Sequence, residues 1–102
     1  MIDRFIDKVK SNQDLSTEEA NECLNCIFEG NSDDAKIAEL LCALAEKGES
    51  VSEILGFCQA LLAKSTAVDL PDEAIDLCGT GGNALERFNV STAAAFTVAA
   101  GD

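Results

Sequence analysis

The 102-residue chain has no His, no Trp and no Tyr, and a single Pro. Without His it lacks the commonest general base and the commonest metal ligand. Any chemistry must rest on backbone groups, hydroxyls, carboxylates or Cys. Positive charge is scarce as well, with 7 basic against 19 acidic residues and a net charge of -12. A nucleic-acid partner needs a basic face to displace counterions, so that class is excluded, and an anionic membrane surface is disfavoured on the same ground. No apolar run approaches the roughly 20 residues that span a bilayer. Met1, Ile2, Asp3, Arg4 and Phe5 alternate apolar and charged side chains, which reads as mature sequence rather than a leader.

What is present is ordinary for a small globular domain: 47% hydrophobic and 25% charged residues. The five Cys, Cys23, Cys26, Cys42, Cys58 and Cys78, are odd in number, and most fall on apolar stripes. That pattern predicts reduced, buried thiols and a cytoplasmic protein.

Residues 1–65 read as helices. Ile2, Phe5, Ile6 and Val9 recur at helical spacing over residues 2–10. Ser16 with Glu19 spells a capping box ahead of Ala20, Cys23, Leu24, Ile27 and Phe28, and Gly30 is the natural stop. A third helix is expected from Asn31 or Ser32, with Asp33 and Asp34 on its positive end and Ile37, Leu40, Leu41, Leu44 and Ala45 as its core face. Lys47 and Gly48 close it, the glycine in a left-handed turn. Ser50 with Glu53 repeats the capping box, and Val51, Ile54, Leu55, Cys58, Leu61 and Leu62 are the expected core face of the fourth helix. Short connections between such helices predict a bundle.

Beyond Lys64 the composition changes. Residues 66–73 hold the only Pro, Pro71, and read as a linker. Residues 74–102 open with Ala74 to Cys78, which alternate like a short strand, run through Gly79, Thr80, Gly81 and Gly82, and end in an Ala-rich, nearly uncharged stretch from Val90 to Ala100. That last stretch predicts a helix buried on most sides. Strand, glycine loop and helix begin an α/β unit. A parallel strand needs a neighbour and none follows, so the expectation is a truncated α/β domain of a longer protein.

The glycine stretch carries the chemistry. Three glycines in four residues let the backbone turn sharply and approach a ligand, and successive N–H groups in such a turn form an anion-binding nest. Asn89, Ser91 and Thr92 add side-chain donors at a helix N-terminus, where free N–H groups and the dipole favour negative charge. A phosphate or pyrophosphate is the simplest ligand. Arg87 is the only cation after Lys64, so such a site relies on dipoles, on a metal such as Mg²⁺, or on cations from elsewhere. There is no Gly-Lys-Ser/Thr of a P-loop, and the glycines lack dinucleotide-fingerprint spacing. The same residues also fit a plain tight turn in which Asn89 caps the helix, and capping does not exclude binding.

Asp76-Leu77-Cys78-Gly79-Thr80-Gly81-Gly82 and Asn89-Val90-Ser91-Thr92-Ala93-Ala94 resemble the two paired signatures of anthranilate phosphoribosyltransferases. Leu15 to Ala20, Ile37 to Leu44 and Lys47 to Ser50 are similar to the helical part of that family. The resemblance implies an N-terminal helical bundle followed by an α/β phosphoribosyltransferase domain. It implies a pentosyltransferase of tryptophan biosynthesis that moves the phosphoribosyl group of phosphoribosyl pyrophosphate (PRPP) to anthranilate and releases pyrophosphate. It places Gly79, Gly82, Asn83, Arg87, Asn89, Val90, Ser91 and Thr92 at PRPP, with Gly79 also at anthranilate, and Ser91 as a ligand of Mg²⁺. No residue of the chain is expected to act as a covalent or acid–base catalyst. A homodimer through the helical domain is also implied. The chain departs from the family at two positions. Asn83 stands where Asp is common, and Arg87 stands where a small hydroxyl residue is common, either as a cation for pyrophosphate or as a solvent-facing side chain. Two other readings are a pyrimidine nucleoside phosphorylase-like enzyme of the same fold and a non-catalytic phosphate-binding or oligomerisation module.

Two signals are discounted. Cys23 and Cys26 form one C-x-x-C inside a predicted helix, with no second pair and no His to complete a zinc site. Asp33, Asp34, Glu18 and Glu19 read as solvated charges at helix starts.

Overall fold

The computed structural model describes residues 1–79, 81 and 89–101. The chain divides into two units, Met1–Ala67 and Val68–Asp102.

The first unit holds four helices: α1 (Asp3–Lys10), α2 (Thr17–Phe28), α3 (Asp34–Lys47) and α4 (Val51–Lys64). Their ends follow local chemistry. Ser16 Oγ accepts the Glu19 N–H at 3.2 Å while Glu19 Oε2 accepts the Ser16 N–H at 2.7 Å, so both partners of the capping box are engaged. Ser50 and Glu53 repeat the arrangement at 3.3 and 2.7 Å. Gly30, at φ 74°, ends α2 in a Schellman turn, its N–H on Ile27 O and that of Asn31 on Cys26 O. Asn12, at φ 59°, ends α1 in the same way, with bonds to Val9 O and, from Gln13, to Lys8 O. Gly48 has the expected positive φ of 83°, but its ψ of 134° lies outside the left-handed helical region. The start of α3 also differs from expectation. Asp33 is the cap itself, accepting the Lys36 N–H at 2.8 Å, and Asp34 is the first helical residue.

α1 packs on α3 and α2 on α4. The core is Ile2, Phe5, Ile6, Val9, Leu15, Ala20, Cys23, Leu40, Ala43 and Leu44. The expected core face of α4 is not in it: Val51, Ile54, Leu55, Cys58, Leu61 and Leu62 are exposed. α4 instead buries Glu53, Gly56 and Ala60, one stripe at helical spacing. The reason is closeness. A Cβ on Gly56 would lie 2.3 Å from Thr17 O and 2.7 Å from Ala20 Cβ, so α2 and α4 meet nearly backbone to backbone, and only small residues fit the seam. Leu41 and Ala45 of α3 are likewise exposed, against expectation, while Ile37 is half-buried. The five thiols are free, but only Cys23 is buried and Cys26 half-buried; Cys42, Cys58 and Cys78 are exposed because the stripes that carry them face outward or lie in the thinly covered second unit.

The second unit contains α5 (Val90–Gly101). The expected strand at 74–78 does not form among the described residues, since no other extended segment pairs with it. Ala74 N–H closes a turn on Pro71 O at 2.9 Å. None of the residues of α5 is buried, contrary to the expectation from its composition, because only the segment around Ile75 to Gly79 lies along it among the described residues. Among the described residues, no helix is long and apolar enough to cross a membrane.

Candidate functional site

The site is built from residues 75–79 and the first turn of α5. Asp76 Oδ1 accepts the N–H of Cys78 at 2.8 Å, a short Asx turn that bends the chain into the glycine stretch. Cys78 Sγ lies 3.4 Å from Gly79 O. Gly79 then passes the helix start so closely that a Cβ there would touch Ser91 Oγ at 3.4 Å. Gly81 has φ 83°, a conformation that favours glycine.

On the other side Asn89 Oδ1 accepts the Thr92 N–H at 2.9 Å, and Asn89 O accepts that of Ala93 at 3.2 Å. Asn89 is therefore the N-cap of α5. As at any helix start, the N–H groups of Val90 and Ser91 have no intrahelical partner. They carry the positive end of the helix dipole. Val90 has an exposed side chain.

A groove of about 490 Å³ runs between the two segments, with Ser91 and Thr92 at its polar end and Ile75, Leu77, Ala95 and Phe96 along its walls. Among the described residues, no three potential ligand side chains come together to hold a metal. A single hydroxyl, Ser91 Oγ, half-buried beside a residue without a side chain, would offer one oxygen to a hard cation such as Mg²⁺.

Of the residues singled out from the sequence, the structure brings Gly79 to Ser91 and Asn89 to Thr92, with Val90 between them. Gly82, Asn83 and Arg87 lie outside the described residues. Asp76, quoted in the glycine signature but given no role, turns out to shape the entry to the site. Its readable signal is an Asp two residues before the amide it binds.

Comparison with known proteins shows the family. Residues 3–65 match the model described as "Glycosyl transferase family, helical bundle domain". Residues 71–102 match its companion, "Glycosyl transferase family, a/b domain". The chain belongs to this glycosyl transferase family. Its fold class is accordingly a helical bundle followed by the start of an α/β domain, as the order of sequence patterns led one to expect. Similar members include a protein of Pelotomaculum thermopropionicum, 49% identical over 100 residues, which covers 97% of this chain and 29% of the relative. Another, of Geobacillus stearothermophilus, is 42% identical over 98 residues, covering 96% and 29%. A third, of Methanothermobacter marburgensis, is 44% identical over 90 residues, covering 86% and 26%. Each of the three is named anthranilate phosphoribosyltransferase. The chain thus spans 29% of the length of the first two of these family members. No solved structure matches it.

Proposed function

We propose that the chain carries the phosphate-gripping part of an anthranilate phosphoribosyltransferase of tryptophan biosynthesis. The observation that supports this reading is the closeness of Gly79 to Ser91, where a Cβ on Gly79 would lie 3.4 Å from Ser91 Oγ. A backbone without side chains there faces a hydroxyl and the free N–H groups of a helix N-terminus, a setting for a diphosphate in a chain of net charge -12. PRPP is the anionic substrate and anthranilate the acceptor. Gly79 stands where the two meet, and Gly79, Gly82, Asn83, Arg87, Asn89, Val90, Ser91 and Thr92 contact PRPP.

The reaction breaks the bond between the ribosyl anomeric carbon and pyrophosphate while the anthranilate amine adds to that carbon and gives up one proton, taken up by the departing pyrophosphate or by water. The transition state resembles an oxocarbenium ion, and the protein's work is to hold the two reactants in line and accept charge developing on the leaving group. Backbone N–H groups of the glycine turn and of the α5 start supply that acceptance without reorganisation. Mg²⁺, ligated through Ser91 Oγ and substrate oxygens, would supply further neutralisation when bound.

The domain division that goes with this reading is a helical domain at 1–65, a linker at 66–73 and the opening of the α/β domain at 74–102. The partner is a second copy, docked on the apolar residues that α3 and α4 leave exposed, and the location is the cytoplasm, in keeping with five free thiols. The 102-residue chain by itself is expected not to turn over.

The deciding experiment is a titration of the ¹⁵N-labelled chain with PRPP and Mg²⁺. Amide resonances of residues 79 to 92 are expected to shift and those of α1 to α4 to stay. Unmoved resonances at 79 to 92 would overturn the reading. Phosphoribosyl anthranilate formed by the purified chain would overturn the expectation of inactivity.

A further inference from the structure

Asp76 is electrostatically out of place. It precedes the proposed phosphate turn in a stretch whose only cation is Arg87, and a free carboxylate near a diphosphate opposes binding. Its geometry explains its presence. Oδ1 accepts the Cys78 N–H at 2.8 Å, which fixes the backbone one residue before Gly79. Gly79 is the residue that comes against Ser91 Oγ. At the start of α5 Asn89 Oδ1 accepts the Thr92 N–H at 2.9 Å. Two short side chains therefore fix described backbone at the site, Asp76 just before Gly79 and Asn89 at the start of α5. Neither grip consumes an N–H of Gly79, Gly81, Val90 or Ser91.

We propose that Asp76 is a positioning residue for the phosphate turn: as a hydrogen-bond acceptor, not as a charge, it sets the backbone so that Gly79 meets Ser91. The proposal rests on the reading of the site as a PRPP site for its consequence, but not for its geometry. Accepting the Cys78 N–H also engages one carboxylate oxygen locally, in line with an exposed acid being tolerated beside an anion site.

The test compares the wild-type chain with Asp76→Asn and Asp76→Ala, all ¹⁵N-labelled, with two readouts. The first, without ligand, is the nuclear Overhauser contact between Gly79 and Ser91. The second is the affinity for PRPP with Mg²⁺. Asp76→Asn keeps an acceptor oxygen and is expected to keep both the contact and the affinity. Asp76→Ala is expected to lose the contact and to bind about tenfold more weakly, the scale of one lost hydrogen bond to a charged group. Unchanged amide positions from Ala93 to Ala100 of α5 show that the second unit of each variant is folded. An alanine variant that keeps both contact and affinity overturns the proposal. So does an asparagine variant that fails like alanine, since charge would then be what matters. If the wild-type chain ignores PRPP, the substrate reading fails, and the ligand-free contact still judges Asp76.

Discussion

Lys47 Nζ lies 2.9 Å from Glu53 Oε2, and the two side chains are only 5% and 0% exposed. Glu53 Oε1 also accepts the Leu15 N–H at 2.9 Å, and Oε2 the Ser50 N–H at 2.7 Å. Lys47 reaches outward to Asp14 at 2.7 Å. One carboxylate thus ties together the end of α3, the α1–α2 connection and the start of α4. A buried pair of this kind adds little over an apolar replacement, yet removing one partner strands the other's charge. Glu53→Ala is expected to destabilise the helical unit by about 3 kcal/mol, the low end for a broken buried pair because Lys47 keeps Asp14. Urea unfolding measures it; a loss comparable to that of an ordinary surface substitution would refute the keystone role.

The same carboxylate makes stability depend on acid. Burial pushes the Glu53 carboxyl upward, but the N–H groups of Ser50 and Leu15 and the Lys47 ammonium outweigh it and hold the group below its ordinary 4.5. Lys8 and the Ser16 N–H do the same for Glu19. A carboxyl lowered on folding contributes stability that is complete above its unfolded value and disappears as pH falls through its folded value. The melting temperature is therefore expected to stay level from neutrality to about pH 5 and to drop below that, with a shallower drop in Glu53→Gln. A wild-type melting temperature that is level down to pH 3 would sink this assignment.

Gly56 marks the closest approach of α2 and α4. Alanine normally favours a helix over glycine by about 1 kcal/mol. Here its Cβ would meet a backbone carbonyl, Thr17 O, at 2.3 Å, which cannot rotate away. The clash is expected to win, with a net loss of about 1–3 kcal/mol in Gly56→Ala. A stabilised variant would show that the helices are not in this contact.

The exposed apolar face of α4 gives the proposed dimer its own test. Ile54 and Leu61 are each 53% exposed, so charges there cost the isolated bundle little. Ile54→Glu with Leu61→Glu is expected to leave helix content and melting unchanged while converting a dimer to a monomer in sedimentation. A wild-type chain that sediments as a monomer at high concentration would rule out this face as the seam.

Thiol reactivity should sort by burial. Burial drives the Cys23 thiol up to about 12, with Cys26 and Glu22 adding to the rise. The thiolate is the reactive form. At pH 8 a disulfide reagent is expected to label the exposed Cys42, Cys58 and Cys78 first and Cys23 only on unfolding. Prompt labelling of Cys23 in the folded chain would contradict the packing of α2.

Much of this was legible from the sequence because the interactions are local. Ser16 with Glu19, Ser50 with Glu53 and Gly30 announce helix ends through bonds spanning only a few residues. The glycine stretch and Asn89 are likewise local signals, and their pairing at a helix start follows from chain order. The facing of α4 was not legible. Its apolar residues point to one core face, but the face buried is the small one, a choice set by how near the backbone of α2 can come. The apolar character of α5 predicted burial, which needs covering elements that the described residues do not provide.

By itself, then, the order of residues determined that four helices form and how most of their ends are closed, since caps and turns are made by neighbours in the chain. Only the tertiary structure decided that Glu53 is a buried tie rather than a surface cap, that Gly56 rather than Leu61 meets α2, and that Gly79 lies beside Ser91. Those outcomes depend on what lies opposite each residue across space, and a one-dimensional pattern does not specify which face meets which.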